Sequence, residues 1–226
     1  MGKEAKKLVI FDLDGTLIDS VPDLASSVNR TLEELGRESF PEDTVREWVG
    51  NGAQTLIRRA LGLQESDGGD LFKEALALFL DHYSKNLTEK SILYPGVEET
   101  LERVASGGLK MAVATNKPEP FVKPILEHFT IFHRFDQIVG AETVPRKKPH
   151  PDPLLHICKN LGIEPSETLM VGDSKNDILA AKSAGIESVA VSWGYNYGED
   201  IALYAPDHII ESLEELPKLA GAADGG

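Results

Sequence analysis

Residues 11–20 read FDLDGTLIDS and follow a short apolar run, Leu8 to Phe11, that gives out into glycine and threonine. The run has the length and content of a buried strand, with a turn signal at Gly15. Asp12 and Asp14 therefore stand at the mouth of a strand, and side chains at i and i+2 of an extended chain share one side. Two like charges held that close resist ionising together. A hard cation such as Mg²⁺ relieves the conflict, because it takes oxygen ligands and is usually held by one or two carboxylates with waters and substrate phosphate. The opening stretch is therefore a candidate metal and phosphate site.

The rest of the chain divides into two patterns. Helical spacing is predicted over residues 21–35, 42–49, 53–61 and 70–86, a run of four helices with no strand among them. From Tyr94-Pro95-Gly96 onward helix and strand alternate: helices over 97–106, 121–129, 154–161, a stretch ending at Gly185, and 212–219; strands over 109–114, 137–139, 168–171, 188–191 and 208–210. Pro124 predicts an interruption or an early-turn position in the second of these helices. The tail from Ala220 is expected to be disordered. Alternation of this kind implies α/β architecture, a Rossmann-like parallel sheet with helices on both faces. The chain thus reads as a discontinuous core, residues 1–17 and 93–226, with an inserted α-helical cap over 18–92. Ligands of such open sheets bind at the carboxyl ends of strands.

Composition narrows the partners. A formal charge of −14 argues against nucleic acid, whose binding needs basic surface. A small anionic substrate stays open, since local fields can oppose the global charge. Cys158 is the one cysteine and reads as a packed helix residue. No apolar run approaches membrane-spanning length, and the apolar run after the basic start is too short for a signal peptide, so a cytoplasmic location is expected. The histidines show no metal-ligand spacing.

Chemistry-bearing residues recur at the strand ends: Asp12 and Asp14 after the first strand, Thr115 and Asn116 after residues 109–114, and Asp173 after residues 168–171. Two acids from one strand and one from another supply oxygen ligands, while a hydroxyl and a nearby lysine can bind phosphoryl oxygens, which are the parts phosphoryl transfer requires. Each residue also has a plain reading, as a turn cap, an N-cap, a β-branched strand end or a solvated lysine.

With DLDGT at residues 12–16, Thr115 at a strand end, Lys148 ahead of PHPDP, and Gly172-Asp173-Ser174 followed by Asp177, the chain resembles the haloacid dehalogenase superfamily over nearly its whole length. The resemblance implies a Mg²⁺-dependent phosphomonoester hydrolase in which Asp12 is the nucleophile and forms an aspartyl-phosphate. Asp14 would protonate the leaving alkoxide and then activate water, starting protonated under pressure from its acidic neighbours. Mg²⁺ would bind Asp12, the backbone carbonyl of Asp14, and Asp173, with Asp177 and Ser174 supporting them from behind. Thr115, Asn116 and Lys148 would hold the transferring oxygens. Asp177 has the plainest alternative, an acid facing solvent on a first helical turn.

Substrate choice is expected to lie in the cap. EWVGNGAQTLIRRAL (47–61) and WGYNYGEDIALYAPDHII (193–210) resemble stretches of bacterial phosphoglycolate phosphatases, which implies hydrolysis of 2-phosphoglycolate. Gly50, Asn51 and Gly52 precede a helix and could present N–H groups to an anion, or form an ordinary turn. Asn51, Gly52 and Arg58 are the candidate specificity residues, and Trp193, Tyr195 and Tyr197 could rim the site or pack on the sheet edge. A sugar phosphate such as a muramic acid phosphate, a phosphosugar mutase reaction, and a non-catalytic phosphate-binding protein remain as alternatives.

Overall fold

The computed structural model describes residues 5–64 and 66–222. In chain order the elements are β1 (Leu8–Phe11), β2 (Ile18–Asp19), α1 (Val21–Glu34), α2 (Glu42–Arg46), α3 (Ala53–Leu61), α4 (Asp70–Lys85), β3 (Ile92–Leu93), α5 (Val97–Ser106), β4 (Lys110–Ala114), α6 (Glu119–His128), β5 (Gln137–Val139), α7 (Asp152–Leu161), β6 (Thr168–Gly172), α8 (Lys175–Ala184), β7 (Glu187–Val191), β8 (His208–Ile210) and α9 (Leu216–Ala220). Six strands form one parallel sheet in the order β5-β4-β1-β6-β7-β8. β1 lies between β4 and β6, at the point where the strand order reverses, and Phe11 pairs with both Val113 and Val171. The carboxyl ends of these three strands are therefore level. An open α/β sheet binds ligands at such a point.

β1 is apolar at every position because both of its faces are covered. Alternate residues point opposite ways: Val9 and Phe11 join a core built with Leu101, Val104, Val122 and Ile125 of α5 and α6. Leu8 and Ile10 join another with Leu154, Ile157 and Cys158 of α7 and Ala180 and Ala181 of α8. Cys158 is buried there, as its helical position suggests. The helices α1 to α4 share a core of their own that includes Val28, Leu32, Val45, Ile57, Phe72 and Phe79. Among the described residues no helix is long and apolar enough to cross a membrane.

Several expectations change. The second helix ends at Arg46 and continues as turns, short of the predicted residue 49. α6 begins earlier than predicted, with Pro120 in its first turn, and runs through Pro124 without a break. The closing helix is divided between a 3₁₀ turn, Leu213–Glu215, and α9. The tail expectation fails for Ala220 and Ala222, both buried, because Ala222 packs against Gly107, where an added Cβ would lie 2.6 Å from the alanine Cβ. Residues 223–226 lie outside the described residues.

β2 and β3 form an antiparallel ribbon where the chain leaves the sheet layer and returns to it. Asp23 of α1, 1% exposed, fastens the returning strand: its carboxylate accepts from the backbone N–H groups of Lys90 (3.0 Å) and Ser91 (2.8 Å) and from Ser91 Oγ (2.5 Å). Asp23→Ala leaves these donors without their acceptor and is expected to lower unfolding stability by about 2–4 kcal/mol, read by urea denaturation. A loss below about 1 kcal/mol would show that the ribbon holds without it.

Candidate active site

Asp12 and Asp173 follow β1 and β6, and Asp177 follows one helical turn later in α8. Oxygens from all three carboxylates lie within 4.8 Å of one another, and all three residues are buried. Lys148 enters this group from the loop before α7: its Nζ is 2.9 Å from Asp12 Oδ1 and 2.6 Å from Asp177 Oδ1, and its side chain is 1% exposed. Asp177 is held on its other side by the N–H and Oγ of Ser174, which both donate to Oδ2. Asp173 accepts from Thr16 Oγ1 at 2.9 Å and from the Tyr195 N–H at 2.6 Å.

The backbone is drawn tightly round these acids. A Cβ on Gly15, whose φ is +90°, would sit 2.2 Å from Asp173 Oδ2, and one on Gly194 would sit 2.2 Å from Asp173 Cβ. Only glycine permits both the left-handed φ and the close approach at residue 15. Burial pushes Asp12 up to about 7, against the pull of Lys148 and with the help of Asp177. Burial and the neighbouring Asp177 and Asp12 likewise raise Asp173 well above the ordinary carboxylate range. Lys148 is disfavoured by burial, yet Asp12 and Asp177 outweigh that and strengthen its hold on its proton. Asp12 Oδ1, buried and within ion-pair distance of Lys148, makes no hydrogen bond of acceptable geometry. Three acids, one lysine and an oxygen with spare accepting capacity fit a hard cation bound through oxygen.

Asp177 does not face solvent on the first turn of α8, the plain alternative open to it. It is 0% exposed and joins the acid group directly. Asp14 differs from expectation in the other direction. Its carboxylate stands outside the three-acid group, accepting from Ser20 Oγ at 2.5 Å and from Lys117 Nζ at 2.9 Å. The charge facing it is a buried cation, so the like-charge pressure expected from its neighbours is answered by Lys117. Any share Asp14 has in a metal site falls to its backbone carbonyl. No local pattern marks Lys117 for this role, although it directly follows Thr115 and Asn116 at the end of β4.

Thr115 is buried, and its Oγ1 accepts the Lys117 N–H at 3.1 Å. The side chain of Asn116 is engaged elsewhere. Its Nδ2 donates to Gly50 O at 3.0 Å and to Lys148 O at 2.9 Å, so the side-chain amide ties the helical insert to the lysine loop and is not free for phosphate. Asn51 is similarly committed: its Oδ1 accepts from Asn176 Nδ2 (2.8 Å) and Tyr197 OH (3.1 Å), and its carbonyl accepts from Lys147 Nζ (2.6 Å). Gly52, with φ +82°, lies where a Cβ would come within 2.9 Å of Asn116 O. Arg58 lies away from the acids, over the Phe72 ring at 4.1 Å and donating to Asp67 O at 3.3 Å. It faces outward because Leu56, Ile57, Ala60 and Leu61 take the buried side of α3. Tyr195 bridges the two layers, with its N–H on Asp173 and its hydroxyl donating to Asp19 Oδ1 at 2.6 Å.

A cavity of about 40 Å³, room for a few waters, closes over the floor made by Asp12, Asp14, Thr115 and Lys117. Its roof is apolar, with Leu24, Val49, Leu56, Phe79 and Tyr83 from the insert.

The raised Asp12 carboxyl has a stability consequence. An acid whose folded value exceeds its unfolded value retains its proton in the folded state and loses it in the unfolded chain between the two values, so stability falls as pH rises from about 4 to about 7. In metal-free buffer Asp12→Asn removes that titration. Its melting temperature is expected to rise relative to wild type as pH goes from about 4 to about 7. A wild-type to variant difference that is flat with pH would contradict the assignment.

Comparison with known proteins agrees with this geometry. Residues 9–191 match the family model for haloacid dehalogenase-like hydrolases. A protein of Colwellia psychrerythraea named phosphoglycolate phosphatase is 46% identical, over 96% of this chain and 97% of its own length. One of the same name from Pseudomonas putida is 48% identical over 96% of this chain and 80% of its own. The crystal structure of a "predicted phosphoglycolate phosphatase" from Haemophilus somnus superposes with a TM-score of 0.90 at 41% identity, over 96% of this chain and 99% of that one. With the strand-end acids, the buried lysine and the helical insert all in place, the chain belongs to the haloacid dehalogenase-like hydrolases.

Proposed function

We propose that this protein is a Mg²⁺-dependent phosphatase that hydrolyses 2-phosphoglycolate to glycolate and phosphate through an aspartyl-phosphate on Asp12. The observation that carries the reading is the placement of Asp12 on the cavity floor, with Lys148 and two further acids behind it and Asp14 beside it. Asp12 attacks phosphorus and the ester P–O bond breaks. Asp14 gives its proton to the departing alkoxide oxygen, then takes one from the water that attacks phosphorus and releases Asp12. That role asks Lys117 to shift its ion pair from Asp14 to the incoming anion, leaving Asp14 to carry the proton. Thr115 and Lys148 hold the equatorial oxygens as charge redistributes. Asp12, Asp173 and the Asp14 carbonyl would hold Mg²⁺, with Asp177 at hand in the same group. When bound, the ion supplies positive charge to the phosphoryl oxygens.

The substrate rests on two supports. The relatives above bear the name phosphoglycolate phosphatase. The cavity is small, and its roof of Val49, Leu56 and Phe79 has few groups to match the hydroxyls of a sugar, which weighs against a sugar phosphatase or a phosphosugar mutase. The start of α3, where the Leu56 N–H is the first to bond back to Gly52 O, leaves N–H groups at residues 53–55 for a carboxylate.

In a panel of small phosphoesters with and without Mg²⁺, 2-phosphoglycolate is expected to release phosphate with the highest kcat/KM, and chelation should abolish turnover. Asp12→Asn should lower kcat roughly a thousandfold or more. Comparable turnover by the variant would exclude Asp12 as nucleophile, and isomerised sugar phosphate without phosphate release would assign the mutase reaction.

A further inference from the structure

We infer that the Tyr83 hydroxyl is the side-chain hydrogen-bond donor through which the insert recognises the non-phosphate end of the substrate, an oxygen acceptor such as a carboxylate. The inference rests on the reading of the cavity as a phosphomonoesterase site and names a specificity residue within it.

Tyr83 lies in the last turns of α4 and is 1% exposed. Its ring is fixed on several sides: it stacks on Phe79 with centroids 5.7 Å apart, meets Phe121 edge-on at 5.2 Å, and carries Lys117 Nζ over its face at 4.7 Å from the centroid. The Lys117 Nζ bonds run to Asp14, so the lysine meets the tyrosine through its π face. All of these contacts would be made equally well by phenylalanine. The hydroxyl makes no hydrogen bond of good geometry among the described residues, and Lys117, near enough to favour the phenolate, carries only donors and cannot accept the hydroxyl proton. A buried hydroxyl without a partner costs stability that phenylalanine would not. Such a group needs a reason beyond packing.

Its surroundings supply one. Tyr83 lines the cavity above Asp12 and Asp14, and of the insert side chains that do so, Leu24, Val49, Ala53, Leu56, Phe79 and Tyr83, it alone ends in a polar atom. Asn116, whose Oδ1 is another buried polar atom without a hydrogen bond, lines the same cavity. Burial pushes the phenol up to about 12, which keeps it a donor at neutral pH. A pocket built to hydrogen-bond one oxygen rejects the analogue that lacks it, because the protein group is then left buried and unpaired.

The test compares 2-phosphoglycolate with ethyl phosphate, which keeps the phosphoester and lacks the distal carboxylate, in wild type and Tyr83→Phe. Wild type is expected to prefer 2-phosphoglycolate. In Tyr83→Phe its KM should rise about tenfold with kcat little changed, while ethyl phosphate kinetics stay within about twofold. The melting temperature of the free variant should equal or exceed that of wild type, because an unpaired buried hydroxyl has been removed. A variant that keeps the full wild-type preference, or that loses equally on both esters, overturns the assignment and leaves the hydrolase reading standing. A wild type that shows no preference between the esters defeats the phosphoglycolate reading and this inference together, and one that hydrolyses neither defeats the phosphatase reading as well.

Discussion

Lys148, buried between Asp12 and Asp177, is the interaction on which the site depends. Three carboxylates brought together out of water would otherwise repel and take up protons. One ammonium group offsets part of that, and its positive charge reaches the cavity floor through Asp12. Buried ion pairs of this kind contribute little net stability, since desolvation opposes the attraction, yet losing one partner leaves the other exposed to the full penalty. The arrangement is therefore better understood as preorganisation for anion chemistry than as a brace for the fold. The sheet bears the structural load through apolar cores on both of its faces.

Around that centre several polar contacts join the insert to the core, beside the apolar packing of Tyr83 and its neighbours on Phe121 and Tyr195. Gly50 O accepts from both Asn116 and Asn176, and Asn51 meets Asn176, Tyr197 and Lys147. The Asn116 amide joins the two halves, with one bond to the insert and one to the backbone of Lys148 itself. Tyr195 makes a second link, from Asp173 to Asp19, which Arg46 of α2 also engages at 3.1 Å. The acids that define the site are thus mechanically continuous with the helices above them.

What the sequence discloses and what it hides follow from the range of the forces involved. β1, β4 and β6 were legible because strands covered on both faces carry continuous apolar runs, and the polar residues that end each run announce the site. The two-residue strands β2 and β3 carry no periodicity and were not legible. The partner of a charged side chain is a tertiary matter that no local pattern discloses. Lys117 and Asp14 are far apart in the chain and meet only once β4 lies beside β1. Asp177 was ambiguous because an acid on a first helical turn suits solvent as well as a place behind the site. Ser174 and Lys148 decide it by drawing the carboxylate inward. Arg58 and Asn51 have the chemical type of specificity residues, but α3 turns the first outward and Asn176 engages the side-chain oxygen of the second.

The stereochemical course at phosphorus tests the nucleophilic role of Asp12 most directly. With a phosphorothioate monoester made chiral at phosphorus by one heavy oxygen isotope and hydrolysed in water carrying the other, attack by Asp12 followed by attack of water amounts to two in-line displacements, and the released thiophosphate should retain configuration. Inversion would mean that water attacks the ester in a single step, and would contradict an aspartyl-phosphate at Asp12.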